Sequence, residues 1–269
     1  MSAAIFGCFL TPQPPKYMLN QFKLDGQMAV ITGGGTGLGL GIARIFVQAG
    51  AKVVIVGRRE EKLREAQQQL GDNCTYRAFD VTDKAAMPAL VADIEENVGP
   101  IDILVNGAGI HLKKPALEVT DEEYLSVIDT HVLSVFSLSR EVLRRMVPRQ
   151  HGSIILISSM SAFMGMEKIV AYTTAKSAVL GIQRALIADY SRDGIRVNTI
   201  APGWIDTPML HKAIDTDEPR RNKILNRIPT HTFGDPDDIG NAALYLCSEA
   251  GKYVNGVTLP VDAGAIEGF

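Results

Sequence analysis

Short runs rich in valine and isoleucine alternate with helix-length amphipathic stretches along nearly the whole chain. Most of these runs are too short for helices and too uniformly apolar for a sheet with one wet face, so both faces of the sheet should be covered. The alternation is typical of repeated βαβ units and predicts a doubly wound α/β fold with a seven-stranded parallel sheet and helices on both faces. The predicted strands are 28–32, 52–57, 75–79, 103–106, 154–158, 196–200 and 257–261.

The predicted helices lie between these strands, at 38–49, 60–70, 83–97, 121–147 and 171–192. A chain of 269 residues with 46% hydrophobic residues can bury one substantial core and close as one domain. We expect an N-terminal tail over 1–17, with Met18 as an alternative start, and a single domain over 18–269. The polar, proline-containing stretch 206–234 shows no clear period and is interpreted as an insertion over the ligand crevice.

Charge and cysteine content narrow the functional class. A formal net charge of -3 provides no basic field for binding nucleic acid or an anionic membrane surface. No stretch approaches the roughly 18 uninterrupted apolar residues of a bilayer-spanning helix. Cys8, Cys74 and Cys247 are odd in number and widely separated, so neither a disulfide framework nor a metal site is expected. These features favour small-molecule chemistry in the cytoplasm.

A glycine-rich turn directly follows the first predicted strand. Residues 32–39 read Thr-Gly-Gly-Gly-Thr-Gly-Leu-Gly, and the next helix begins within them. Glycine allows positive φ and lets backbone N–H groups approach a pyrophosphate at the positive end of a helix. A lone glycine motif also fits an ordinary tight turn, but its position at the first strand-to-helix junction favours a dinucleotide. The candidate cofactor-binding residues here are Gly33, Gly35, Thr36, Gly37, Leu38 and Gly39.

Two arginines follow the second predicted strand. A carboxylate at this position would bind the ribose hydroxyls of NAD, whereas this chain has Arg58 and Arg59. A guanidinium can pair with a 2′-phosphate through charge-assisted hydrogen bonds. NADP(H) is therefore the preferred cofactor and NAD(H) is possible, with two solvated surface arginines as the alternative interpretation.

A tyrosine and a lysine lie four positions apart on a predicted helix. Tyr172 and Lys176 therefore share one helix face. An unperturbed phenol has a pKa near about 10, and a nearby ammonium favours the phenolate and should lower that pKa toward neutral. On its own, a tyrosine and a lysine at this spacing are weak evidence for a catalytic site. Ser159, at the end of an apolar strand, gives it context as a third candidate catalytic residue.

These motifs together resemble the short-chain dehydrogenase/reductase family. The resemblance covers TGxxxGxG at 32–39, the stretch 106–109 and the Ser159–Tyr172–Lys176 pattern, and runs from about Leu24 to Val261. It implies a Rossmann-type catalytic domain that transfers a hydride between NADP(H) and a carbonyl or secondary alcohol. It further implies that Ser159 binds the substrate oxygen, that Tyr172 is the acid in reduction and the base in oxidation, and that Lys176 also holds the ribose hydroxyls. The thirteen-residue spacing to Tyr172 selects Ser159 over Ser158.

The resemblance implies further cofactor contacts. Asp80 and Val81 match the pair that contacts the adenine, and the segment after the sixth strand matches the one that holds the carboxamide and pyrophosphate. The remaining implied cofactor residues are Asn106, Gly107, Ala108, Gly109, Pro202, Gly203, Ile205 and Thr207, besides Tyr172 and Lys176.

Two departures from the family pattern bear on catalysis. Gly107 replaces an asparagine, which removes a side chain near the cofactor and leaves backbone contacts. His131 stands where the family usually has an asparagine thought to hold a water that links the lysine to solvent. His131 is therefore a fourth catalytic candidate, because an imidazole can hold that water or relay the proton with a pKa near the working pH. A buried histidine bonded to a backbone carbonyl is the alternative.

The expected substrate pocket is rich in cations. His111, Lys113 and Lys114, with residues 160–166 and the insertion, should surround it. The excess of positive charge favours a polar or anionic substrate such as a sugar acid, and the alternative is a charged lid facing solvent. The resemblance is shared between sugar oxidoreductases of the gluconate 5-dehydrogenase type and 3-oxoacyl-carrier-protein reductases. Gln150 and Asp193 stand where the latter tend to present arginines to the carrier.

Two further expectations concern turnover and assembly. The changes at Gly107 and His131 leave open a cofactor-binding regulator that has lost turnover, although the intact Ser159, Tyr172 and Lys176 argue against it. The resemblance also implies a homotetramer formed through helices 121–147 and 171–192. Their apolar residues could form its interface or face the core: Phe136, Leu143, Val179, Leu180 and Leu186.

Overall fold

The computed structural model describes residues 20–215 and 217–268. The predicted tail 1–17, the alternative start at Met18 and Cys8 lie outside the described residues. Within the described ranges, no helix is both long enough and apolar enough to cross a membrane. No cluster of three or more potential metal ligands occurs in the same ranges.

The seven strands form one parallel sheet in the order β3-β2-β1-β4-β5-β6-β7, which confirms the predicted architecture. The chain crosses from β3 back past β1 to β4, so the strand order reverses between β1 and β4, where ligands bind in such sheets. Most strand residues are buried because helices cover both faces. The strands are β1 Met28–Thr32, β2 Lys52–Gly57, β3 Cys74–Ala78, β4 Ile103–Asn106, β5 Gly152–Ile157, β6 Ile195–Pro202 and β7 Thr258–Val261.

Helices pack in two layers, and each layer encloses its own core. Ile42, Phe46 and Ile239 belong to the core on one face of the sheet, and Ile94 and Leu138 belong to the core on the other. The helices are α1 Gly37–Gln48, α2 Glu60–Leu70, α3 Met87–Asn97, α4 Asp121–Ile128, α5 Ser134–Arg149, α6 Val170–Tyr190, α7 Pro208–Ile214, α8 Glu218–Arg227 and α9 Pro236–Cys247.

The helix predicted over 121–147 is not continuous. A π-helical turn, Asp129–Leu133, separates α4 from α5. Around it, the Thr130 hydroxyl donates a 3.0 Å hydrogen bond to the Ser126 carbonyl, and the Ser134 hydroxyl donates to the Thr130 carbonyl. Hydroxyls that bond the preceding turn often bend helices, and single π turns are frequent at functional sites. The spacing of apolar residues in the sequence does not distinguish this wider turn from an α-helix. The turn carries His131.

The insertion is more regular than the sequence suggested. It contains α7 and α8, whose starts are capped by the side chains of Thr207 and Asp217. Ile214 and Ile224 pack with Met160 in a small separate core. The sequence analysis assigned no helix to this stretch, because helices this short offer few apolar positions. Residues of both helices, among them Leu210 and Ile224, line the cleft that is described below.

The apolar residues proposed for subunit contacts divide into two groups. Leu143, Val179 and Leu186 are buried against the sheet, so they belong to the core of the chain itself. Phe136 on α5 remains 42% exposed and Leu180 is half-buried. Of the five candidates, Phe136 and Leu180 therefore keep apolar surface for another subunit.

Candidate active site

One cleft of about 1050 Å³ lies at the carboxyl edge of the sheet. It brings together the four catalytic candidates Ser159, Tyr172, Lys176 and His131. The candidate cofactor residues also line it, with Asn106 as the exception: Gly33, Gly35, Thr36, Gly37, Leu38, Gly39, Arg58, Arg59, Asp80, Val81, Gly107, Ala108, Gly109, Pro202, Gly203, Ile205 and Thr207. Residues more than 170 positions apart thus share one crevice, as parallel strands allow.

The glycine turn is packed too tightly for side chains. Gly33 has a φ of 74°, and a Cβ there would lie 2.9 Å from the Gly107 carbonyl oxygen. A Cβ at Gly39 would lie 2.3 Å from the Gly33 carbonyl oxygen. The glycines therefore allow β1, its turn and the end of β4 to approach closely.

The start of α1 fits a negatively charged group. Its N-cap residue, Thr36, makes no side-chain hydrogen bond to the helix, and the first turn contains no acidic residue. The first N–H groups of a helix lack intrahelical partners and carry partial positive charge. Because this helix start lines the cleft, its open N–H groups suit the pyrophosphate of a dinucleotide.

The end of β4 is fixed by Thr32, a residue that is not among the candidates predicted from the sequence. Its hydroxyl oxygen accepts hydrogen bonds from the backbone N–H groups of Gly107, at 3.0 Å, and Ala108, at 3.1 Å. The buried Asn106 amide donates to the Ser139 hydroxyl at 3.1 Å and so ties β4 to α5. Asn106 is not among the residues that line the cleft, and its contact with the cofactor stays a prediction.

The two arginines after β2 lie exposed at one end of the cleft. A nitrogen of Arg58 lies 3.7 Å from a carboxylate oxygen of Asp80, and Arg59 donates to the Thr36 hydroxyl at 3.4 Å. The backbone N–H of Thr82 donates to Asp80, which lowers the pKa of that carboxyl. Asp80 is therefore ionised at neutral pH and can orient Arg58.

The adjacent serines after β5 have different roles. The Ser158 hydroxyl donates a 2.8 Å hydrogen bond to the backbone carbonyl of Lys176, so it fastens α6 to the sheet. The Ser159 hydroxyl accepts from the backbone N–H of Ser161 at 3.1 Å and also hydrogen-bonds Tyr172. This arrangement supports the choice of Ser159 as the residue that faces a substrate.

The pKa of Tyr172 differs from the expectation. Burial raises it to about 12, and the hydrogen bond with Ser159 opposes this rise. The Lys176 ammonium nitrogen lies 5.4 Å from the Tyr172 ring centroid but donates to the Ile157 carbonyl at 2.7 Å. Burial also lowers the pKa of Lys176 to about 7. Within the chain itself, burial therefore outweighs the expected lowering of the Tyr172 pKa by the neighbouring ammonium.

His131 packs its ring edge-on against Tyr172, with centroids 5.4 Å apart. Its Nε2 lies 3.0 Å from the Ile110 nitrogen and 2.7 Å from the Ile110 oxygen, whereas the buried Nδ1 has no hydrogen-bond partner. A Cβ at Gly109 would lie 2.3 Å from the ring, so glycine is needed there. Burial lowers the pKa of His131 to about 3. The expected pKa near the working pH is therefore wrong, and His131 is neutral at pH 7.

Replacing His131 by Asn should make folding less sensitive to acid. The folded pKa of about 3 lies below the ordinary 6.5, so the unfolded chain binds more protons between these values. Stability is then full above about pH 6.5 and falls as the pH drops. Between about pH 6 and pH 4, wild type should lose up to about 1.4 kcal/mol more per pH unit than His131→Asn. Urea unfolding across this range measures the slopes.

The exposed His151 provides the control for this experiment, because its side chain is 61% exposed. His151→Asn still contains the buried His131, so the steep fall in stability between about pH 6 and pH 4 should persist. If His131→Asn also keeps the wild-type slope, the imidazole is not buried in its neutral form.

Comparison with known proteins agrees with this arrangement. The family model described as enoyl-(acyl carrier protein) reductase matches residues 33–265. The chain is 39% identical to 2-dehydro-3-deoxy-D-gluconate 5-dehydrogenase of Bacillus subtilis over 92% of this chain and 98% of that protein. It is 35% identical to the Escherichia coli 3-oxoacyl-acyl-carrier-protein reductase over 90% and 98% of the two chains. A gluconate 5-dehydrogenase from Burkholderia cenocepacia, solved with NADP and tartrate, superposes with a TM-score of 0.88 at 36% identity, covering 94% of this chain and 100% of that one.

Proposed function

Because the chain belongs to the short-chain dehydrogenase/reductase family, we propose that it is an NADP-dependent oxidoreductase that interconverts a secondary alcohol and a carbonyl on a sugar acid. One observation carries this proposal. Ser159, Tyr172 and Lys176 line the same cleft as an uncapped helix start suited to a pyrophosphate. A hydroxyl donor, a proton donor and a dinucleotide site in one crevice are what carbonyl reduction requires.

The side chains divide the work of the reaction. Bound NADP(H) supplies or accepts the hydride. In reduction, Ser159 donates a hydrogen bond to the substrate carbonyl oxygen and Tyr172 gives that oxygen its proton. In oxidation, Tyr172 takes the hydroxyl proton, and Lys176 is the cation that this chain supplies to stabilise the phenolate. The raised pKa of Tyr172 keeps the phenol protonated at neutral pH, which is the form that donates the proton in reduction.

His131 is assigned a positioning role in this scheme. A neutral imidazole held on the Ile110 peptide fixes the loop after β4 and supports the Tyr172 ring. The unpartnered Nδ1 provides a polar group for a water beside the tyrosine. A relay through a charged imidazole is disfavoured, because burial lowers its pKa to about 3.

The preference for NADP(H) over NAD(H) rests on the end of β2. Arg58 and Arg59 supply two guanidinium groups at the position where a carboxylate would favour NAD. The related Burkholderia enzyme was solved with NADP. The adenine contact assigned to Asp80 and Val81 is consistent with their position in the cleft.

The proposal also covers the oligomeric state of the protein and its location in the cell. A homotetramer is the assembly that the family resemblance implies, and Phe136 keeps apolar surface on α5 that is available for a subunit contact. Light scattering of the purified protein measures the subunit number. Cys74 and Cys247 are both unpaired and buried, which is consistent with a reducing cytoplasm.

NADPH consumption across a panel of carbonyl compounds tests the proposed activity. We expect turnover to be fastest with keto-aldonates, slower with uncharged diketones and slowest with 3-oxoacyl thioesters. The reverse assay with NADP and aldonates reports the oxidation direction. A marked preference for 3-oxoacyl thioesters would favour a carrier-protein reductase instead. Tight NADPH binding without turnover on any compound would favour a regulator.

A further inference from the structure

A salt bridge joins the loop after β3 to the π turn that carries His131. The Lys84 ammonium donates a 2.5 Å hydrogen bond to the carboxylate of Asp129, 45 positions later in the chain, and a 3.1 Å hydrogen bond to the Thr82 carbonyl. The side chains of Lys84 and Asp129 are 36% and 30% exposed. Neither residue lines the cleft, so this salt bridge lies behind the reaction centre rather than in contact with substrate or cofactor.

The Lys84 end of the salt bridge is held by a compact turn. Asp80 accepts hydrogen bonds from the backbone N–H of Thr82 at 2.9 Å and from the Thr82 hydroxyl at 2.8 Å. The backbone N–H of Lys84 donates to the Thr82 carbonyl at 3.0 Å. Asp80 and Thr82 both line the cleft. The Lys84 side chain therefore reaches the π turn from a fixed base on the cofactor side of the cleft.

The Asp129 end of the salt bridge belongs to the element that supports the catalytic tyrosine. Asp129 is the first residue of the π turn, a conformation that is rare in helices. The same turn contains the buried His131, which bonds the Ile110 peptide and packs edge-on against the Tyr172 ring with centroids 5.4 Å apart. A displacement of the π turn would therefore move the imidazole that supports the phenol.

A second lysine of the chain provides a comparison. Lys252 pairs with Glu249 at 2.5 Å, only three positions away, and does not line the cleft. That pair connects residues within one local turn, whereas Lys84 and Asp129 join two segments that are separated in sequence by α3 and β4. Salt bridges with this much exposure contribute little to stability. The contribution of Lys84 is therefore expected in the geometry of the site rather than in the free energy of unfolding.

On the basis of the proposed function, we propose that Lys84 is a positioning residue for the catalytic Tyr172. Its ammonium holds Asp129 and so sets the distance between the cofactor-side turn and the π turn. With the π turn in place, the imidazole of His131 keeps the Tyr172 ring oriented toward the substrate oxygen. Lys84 thus acts on proton transfer without touching the substrate. A misplacement of about 1 Å caused by a mutation far from the chemistry can lower a rate about 100-fold.

Lys84→Met should lower kcat for carbonyl reduction about 10- to 100-fold, whereas the KM for the carbonyl compound and the affinity for NADPH should stay within about threefold of wild type. Lys84→Arg keeps a cation that can reach Asp129 and should retain at least about a third of wild-type kcat. Asp129→Ala should resemble Lys84→Met, and the double variant should lose no more than either single variant, because both substitutions remove the same contact. Lys252→Met is the control and should keep kcat within about twofold of wild type.

Histidine-selective NMR of the NADPH-bound enzyme separates failure of the positioning role from failure of the proposed function. The ring current of Tyr172 shifts the resonance of the adjacent His131 ring, and the absence of this signal in His131→Asn assigns it. Lys84→Met should move the His131 resonance, and Lys252→Met should leave it unchanged.

An unmoved His131 resonance in Lys84→Met, or a kcat within about threefold of wild type, would overturn the positioning role. Parallel losses of kcat and NADPH affinity would also overturn it, because they indicate general damage to the cleft. If the wild-type enzyme reduces no carbonyl compound, the proposed function fails, and the NMR comparison alone decides whether Lys84 positions the tyrosine.

Discussion

Tyr172→Phe should lower kcat for carbonyl reduction about 1000-fold, because it removes the hydroxyl that protonates the substrate oxygen. The phenyl ring itself should stay in place. It is held between the rings of His111 and His131, at centroid distances of 5.1 and 5.4 Å, and phenylalanine keeps these contacts. Affinity for NADPH should therefore stay within about threefold of wild type. Steady-state turnover and NADPH fluorescence titration measure the two effects separately.

Tyr190→Phe is the matched control for this variant. Tyr190 is the last residue of the same helix, α6, and does not line the cleft. Its substitution should leave kcat within about twofold of wild type. If Tyr172→Phe keeps more than about a tenth of wild-type kcat, the phenol is not the general acid. A parallel loss of NADPH affinity would indicate a damaged cleft instead.

The parallel sheet could be predicted from sequence because short apolar runs can be buried only between two helical layers. Strands such as β1 Met28–Thr32 and β2 Lys52–Gly57 match the prediction at both ends. The long helix was predicted without its interruption because the π turn at Asp129–Leu133 depends on hydroxyls bonding back to the backbone. Apolar periodicity does not report such bonds.

The sequence predicted those parts of the candidate site whose residues are close together in the chain. Tyr172 and Lys176 share a helix face, and the glycine turn must start α1, so both features followed from local order. The role of Thr32 did not, because its hydroxyl bonds the end of β4, more than 70 positions away. The role of Ser158 was missed in the same way, since its partner is a backbone carbonyl on α6.

The pKa values show a second limit of sequence reasoning. A lysine four positions from a tyrosine was expected to lower the phenol pKa, yet burial raises it to about 12. Spacing indicates which groups are neighbours, but it does not show how far each is removed from water or which other partner it bonds. Lys176 donates to the Ile157 carbonyl, and His131 is buried at 2% exposure. Both facts depend on tertiary packing.

Arg58→Ala should weaken NADPH binding about 10- to 100-fold while changing NADH binding less than about threefold, because only NADPH carries the 2′-phosphate. The Arg58 side chain is 64% exposed at the end of β2 and lies 3.7 Å from Asp80. An exposed ion pair of this kind contributes little to stability, so the truncation should not disturb the fold. Fluorescence titration with each cofactor measures both affinities.

The neighbouring arginines show whether position or charge alone decides cofactor choice. Arg59 lines the same end of the cleft and bonds Thr36, so Arg59→Ala should also weaken NADPH more than NADH. Arg64 on α2 pairs with Glu60 at 3.0 Å and does not line the cleft. Arg64→Ala removes the same charge and should leave the NADPH-to-NADH affinity ratio within about twofold of wild type. Equal losses of NADPH and NADH affinity in Arg58→Ala would place the 2′-phosphate elsewhere. If Arg64→Ala changes the NADPH-to-NADH affinity ratio as much as Arg58→Ala does, the overall positive charge of the surface determines the preference. A guanidinium contact at the end of β2 would then not be the cause.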